Sequence, residues 1–214
     1  MVKLTKNAFM KKILLAGLLL INLTAFAQQN TSDYVYLISN FQKAYVATHS
    51  VVKGKDTAYI KFFPIDSTYH VTAVFERIKD NVGFTMQLSE SKTATYFKYG
   101  KVIFTLQNKT YHLFVYQSEK LRKIPQYRNH LFIPFVDLSN GITSYGGGRY
   151  LDVDMTAIKN NEVELDFNKA YNPTCAYTTG FNCPIPPGEN TLSTAINAGE
   201  KTYAKPIHEA GTKK

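Results

Sequence analysis

The chain has 214 residues, 44% of them hydrophobic and 14% aromatic, enough apolar surface for one sizeable core without demanding a second. Its formal charge of +9 is inflated by Lys3, Lys6, Lys11 and Lys12; without those four, 21 basic residues face 16 acidic ones. That remaining excess is scattered. Its densest patch, Lys120, Arg122, Lys123 and Arg128, sits in a segment broken by Pro125 that reads as an exposed loop, so no nucleic-acid partner is expected.

Residues 1–27 read as an export signal. The four lysines form a positive leader, Ile13 to Leu23 an apolar run, and Ala25-Phe26-Ala27 a small-residue cleavage site. The run is shorter than the roughly 20 residues a spanning helix needs, and no second such segment follows. The sequence therefore predicts a chain starting near Gln28, periplasmic or secreted, with no membrane span after cleavage.

Residues 28–56 form an N-terminal helical segment, in which Ser32 can cap a helix carrying Tyr34, Leu37, Ile38, Phe41 and Tyr45 at helical spacing. From 57 to 203 the period switches to two, as expected of a single β-rich domain. Strands are predicted at Ala58–Phe63, Tyr69–Ile78, Val82–Leu88, Thr93–Tyr99, Lys101–Gln107, Thr110–Gln117, Leu131–Phe135, Arg149–Val153 and Glu162–Phe167. Asp80-Asn81 and Asn108-Lys109 carry hairpin signals, and Gly100 can supply a bend. The predicted fold is mainly β, an antiparallel curled sheet (barrel or two-layer sandwich), with the helix packed across an open end or a face. Residues 204–214 have no apolar periodicity and read as a flexible tail.

Glycines, prolines, amides and both cysteines crowd between Leu131 and Lys201, a density that suggests a built site. Cys175 and Cys183 are the only cysteines. In an exported chain the pair reads as a disulfide, closing a short loop for roughly 2.5 kcal/mol, with a functional thiol or a metal ligand as the alternatives. The five histidines never fall at metal-binding spacing, so no metal site is expected, and no cofactor is identified. Three glycines before Arg149 allow an anion-binding nest beside a bidentate guanidinium, or simply a turn with Arg149 paired to a structural carboxylate such as Asp166. Asp166 and Glu189 are the candidate acid–base carboxylates. Tyr145, Arg149, Asn168, Tyr171, Asn172 and Asn190 are the candidate ligand-binding residues, although Asn172 and Asn190 equally suit turn fastening.

These motifs resemble a family of uncharacterised bacterial and archaeal proteins, the domain-of-unknown-function 1684 family. The resemblance runs from about 57 to 203. It rests on Phe132-Ile133-Pro134-Phe135, Tyr145-Gly146-Gly147-Gly148-Arg149-Tyr150, Asp166-Phe167-Asn168, Ala170-Tyr171-Asn172-Pro173, Cys183-Pro184 and Ala198-Gly199-Glu200-Lys201. It implies a recurrent polar–aromatic cluster but no activity. Three functions are expected to compete. One is a module binding a small polar or anionic ligand at 143–190. Another is a hydrolase using Asp166 or Glu189 as base, with Arg149 stabilising negative charge and Cys175 as nucleophile in a reduced variant. The third is a structural envelope protein.

Overall fold

The computed structural model describes residues 32–80 and 82–205. The expected export signal and nearly all of the expected tail lie outside them. Helix α1 spans 32–48. Seven strands follow: β1 (His70–Arg77), β2 (Phe84–Gln87), β3 (Thr93–Leu106), β4 (Lys109–Ser118), β5 (His130–Phe135), β6 (Arg149–Asp154) and β7 (Glu162–Asp166). They form one sheet in the order β6-β5-β4-β3-β1-β7, with every named pairing antiparallel and β2 added beside β3. The end strands β6 and β7 do not pair, so the sheet curls into a half-barrel rather than closing. This is the curled antiparallel sheet with an N-terminal helix that the alternation predicts.

Several local expectations are corrected. The two strands expected at Thr93–Tyr99 and Lys101–Gln107 are one strand, β3, interrupted by a bulge between Lys98 and Gly100. β1 and β2 make no hairpin across Asp80-Asn81; both lie along the same edge of β3, β2 on its first half and β1 on its second. The β3–β4 hairpin does form. Its turn residues are Gln107 and Asn108, both at positive φ as a primed turn requires, one residue earlier than the Asn108-Lys109 signal. The segment expected as a strand at Ala58–Phe63 is instead a 3-10 helix, Gly54–Tyr59, and then an isolated bridge of Phe62 to Glu200. On α1 the inward face is Tyr34, Ile38, Gln42 and Tyr45, while Leu37 points to solvent and Phe41 lies at the margin.

The sheet is covered on both faces, which explains why β5 is apolar at almost every position. One face carries the main core, with Val102, Phe104, Leu113, Val115, Ile133 and Leu165. Phe167, Leu192 and Ile196, from the segments after β7, close over it. The other face carries a smaller aromatic cluster of Met86, Tyr96, Tyr116, Phe132 and Tyr150. Tyr96 and Val102 have the same parity along β3 yet belong to opposite faces. The extra residue at the bulge reverses the alternation between them.

Gly100 makes the bulge possible, because a Cβ there would stand 2.3 Å from Phe75 Cζ and 2.8 Å from the Glu76 carbonyl. Gly100→Ala is expected to cost about 1–3 kcal/mol, read as a lower urea midpoint at unchanged slope.

Candidate functional site

Arg149 opens β6 and is wholly buried. Its Nη2 donates to Asp137 Oδ2 at 2.8 Å and to the Ile196 carbonyl at 2.7 Å. Nη1 donates to the carbonyls of Ala198 at 2.5 Å and Glu200 at 3.2 Å. Asp137 is equally buried, and its other oxygen accepts from the backbone of Ser139 and Ile196. Both Nη atoms of the guanidinium are therefore spent inside the protein, on Asp137 and backbone carbonyls and not on Asp166, while its Nε has no partner; it lines none of the three cavities. Gly148, at φ 87°, lets the chain pass against the Phe135 carbonyl and Pro186, where a Cβ would stand 2.7 Å from each. Gly148, directly before Arg149, thus serves close packing.

The other predicted residues separate. Asn168 is fully buried and spends its amide on both backbone groups of Asp66, on Asp166 and on the Tyr34 hydroxyl. Asn190, also fully buried, accepts from Phe114 N and donates to the carbonyls of Phe114 and Pro134, bridging β4 and β5 where they splay. Glu189 accepts from Tyr116 at 2.6 Å and Lys98 at 2.7 Å. Tyr145 packs on the small cluster of Val52, Ile60, Ala176 and Tyr177. Asp166 lines a cavity to which Glu189 does not contribute, so the two carboxylates expected to share acid–base work do not meet. Of the predicted ligand-binding set, only Tyr171 and Asn172 reach the cavity that α1 and the disulfide segment enclose. The cysteines do form a disulfide, Cys175–Cys183.

That cavity, of about 510 Å³, lies over the aromatic face of the sheet. Tyr96, Phe132 and Tyr150 form its floor, and the end of α1 contributes Tyr45 and His49. The disulfide-braced segment from Tyr171 to Pro184 forms the opposite wall. Reciprocal backbone bonds between Tyr150 and Tyr171, at 2.9 and 3.1 Å, fasten that wall to the free edge of β6. Among the described residues, no lysine, arginine, aspartate or glutamate belongs to the lining. His49 is held neutral: its Nδ1 accepts from Val52 N, and burial, then Lys53, lowers its pKa. His130 donates from Nε2 to Asp152 at 3.0 Å, and this hydrogen bond raises its pKa. Two buried polar atoms on lining residues have no protein partner, His130 Nδ1 and Asn172 Oδ1.

Behind the wall sits Glu200, fully buried. It accepts from Tyr177 at 2.5 Å, Tyr45 at 3.2 Å and Asn172 N at 2.9 Å. Burial pushes its carboxyl up to about 7 against the relief those donors give, and burial followed by the Glu200 charge raises both tyrosines above their ordinary range. Sequence reasoning passed over Glu200, His49, His130 and Tyr150. Glu200 stood within the Ala198–Lys201 motif without being singled out. The histidines carried no spacing signal, because three separate elements bring them and their partners together.

Fold and site together define an open antiparallel half-barrel with an aromatic-walled cavity on one face of its sheet. The chain belongs to the family described as Protein of unknown function (DUF1684), which matches residues 55–201. An uncharacterised protein of Haloarcula marismortui, solved by solution NMR, is similar at 26% identity with a TM-score of 0.59 over 81% of this chain and 97% of its own. No curated protein matches the chain.

Two measurements test this assignment of roles. Arg149→Met strands the Asp137 carboxylate in the interior and is expected to cost about 3–5 kcal/mol in urea titrations. Glu200 has a folded pKa above its ordinary 4.5, so its contribution to stability is complete below pH 4.5 and is lost as pH rises to about 7. The loss is on the order of 3 kcal/mol, flat above that window, and absent from Glu200→Gln.

Proposed function

We propose that this is an exported protein that binds a small, polar but uncharged, ring-bearing molecule in the cavity between α1, the aromatic sheet face and the disulfide-braced segment. The observation that carries this reading is the lining itself. Tyrosine and phenylalanine rings wall about 510 Å³ of space, with a few polar groups and, among the described residues, no formal charge supplied by lysine, arginine or a carboxylate. Polar side chains on the lining, Thr48, Ser50, Ser118, Asn172 and Asn182, favour a ligand that offers hydrogen-bonding groups. Burial of Arg149 removes the argument for an anion. The disulfide and the lack of any membrane-spanning helix among the described residues are compatible with export. The hydrolase reading built on Asp166 and Glu189 has no comparable support, since the two line no common cavity.

The test is a ligand-observed NMR screen of uncharged aromatic fragments against the full chain and Thr48→Trp. Thr48 is an exposed residue on the cavity lining, so the indole blocks the space without disturbing the core. Binding by wild type that weakens about tenfold or more in Thr48→Trp is expected. No hits, or hits indifferent to the block, would remove this reading.

A further inference from the structure

A second cavity, of about 490 Å³, occupies the gap where the sheet fails to close. Leu151, Asp152 and Val153 of β6 form one side, and Glu164, Leu165 and Asp166 of β7 form the other. Phe41 and Tyr45 of α1, with Tyr171, lie across it. Its chemistry is opposite to that of the first cavity, because three carboxylates line it.

Asp166 is the informative one. The residue is 8% exposed, and no lysine, arginine or histidine among the described residues forms an ion pair with it. Its hydrogen bonds, from Tyr34 Oη, Asn168 N and Asn168 Nδ2, each at 3.0 Å, all fall on Oδ1. That leaves Oδ2 to a further donor. Buried carboxylates in folded proteins are ordinarily paired with a cation, and this one is not. Of the other two, Glu164 is engaged by His70 at 3.1 Å and by Thr72, while Asp152 is engaged by His130 and Tyr171. Among the described residues Lys169 is the only lysine or arginine on the lining; it is exposed and stands 5.7 Å from the centre of the Phe41 ring.

We infer that this gap is a binding site for an organic ammonium ion, its N–H group directed to Asp166 and its apolar body held by Phe41, Leu151 and Leu165. Rings at Phe41, Tyr45 and Tyr171 add the attraction of their negative faces for a cation. The charge-assisted hydrogen bond to a sheltered carboxylate makes the donor specific. The site is independent of the first cavity, although Tyr45 and Tyr171 line both.

Isothermal titration at pH 7 of the full chain carrying Thr48→Trp, which closes the first cavity to the uncharged counterpart, with 2-phenylethylamine and with 2-phenylethanol tests the assignment. The amine is expected to bind about tenfold or more tighter than the alcohol. Asp166→Asn keeps an Oδ1 acceptor for Tyr34 and Asn168, so the fold is retained while the preference for the amine disappears. Lys169→Met removes the like charge and is expected to tighten amine binding, a result that needs no change at Asp166. Thr48→Trp, blocked at the first cavity, is expected to bind the amine as wild type does. Equal or absent binding of amine and alcohol, an unchanged preference in Asp166→Asn, no gain in Lys169→Met, or loss of the amine in Thr48→Trp would each overturn the site.

Discussion

The buried ion pair between Arg149 and Asp137 is the constraint on which the arrangement of this protein depends. Both side chains have no exposure, and the arginine also gathers the carbonyls of Ile196, Ala198 and Glu200. Those carbonyls belong to a segment with no regular ladder of its own, so the guanidinium supplies donors that a strand would otherwise provide. A desolvated pair of this kind need not stabilise the fold more than apolar residues of similar volume would. Its effect is positional. The carbonyls at 196, 198 and 200 can meet one planar group only in one register, and that register sets Glu200 beneath Tyr45 and Tyr177.

The cavity has a second requirement, a sheet with two buried faces. A half-barrel built from strict alternation would bury one face and leave the other wet. Here the bulge beside Gly100 reverses the alternation of β3, placing Tyr96 opposite the side that Val102 occupies. Tyr116, Phe132 and Tyr150 then extend the aromatic surface across β4, β5 and β6. Rings on that surface bury much area with few rotatable bonds, so they form a firm wall. The segment carrying the disulfide covers them without filling the space, since prolines at 173, 184, 186 and 187 favour an extended path over a compact one.

What the sequence discloses divides along the same physical line. Local periodicity determines whether a stretch becomes helix or strand, and β1, β4, β5, β6 and β7 emerge close to their predicted bounds. Tyr34, Ile38 and Tyr45 of the helix face inward as their spacing requires. Leu37 does not, because four-residue steps through Gln42 carry the packed face past it. The site residues were harder to read, because polarity by itself does not separate a ligand contact from a structural fastener. Arg149, Asn168 and Asn190 look functional in sequence, being polar residues amid turns. Each is instead consumed by backbone groups that the interior must satisfy. His130 looks ordinary because its partner, the Asp152 carboxylate, becomes a neighbour only through the fold, and His49 because its partner is a backbone amide three residues on, which leaves no mark in the residue types.

The two cavities are divided by a wall that is thin and polar. Tyr45 and Tyr171 face both, with ring centres 6.2 Å apart, and the charge behind each hydroxyl differs. Tyr45 donates to Glu200. Tyr171 donates to Asp152, which also accepts from His130, a residue on the lining of the first cavity. Rotating either tyrosine would break a hydrogen bond to a carboxylate, at Glu200 inside a low-dielectric interior where an unmade bond is costly. The partition is thus held more firmly than two aromatic rings alone would hold it. Burial raises the Glu200 carboxyl to about 7, so the strength of that hold on Tyr45 and Tyr177 varies with its protonation. The carboxylate holds both hydroxyls as an acceptor, whereas the neutral acid must spend one of its own bonds as a donor.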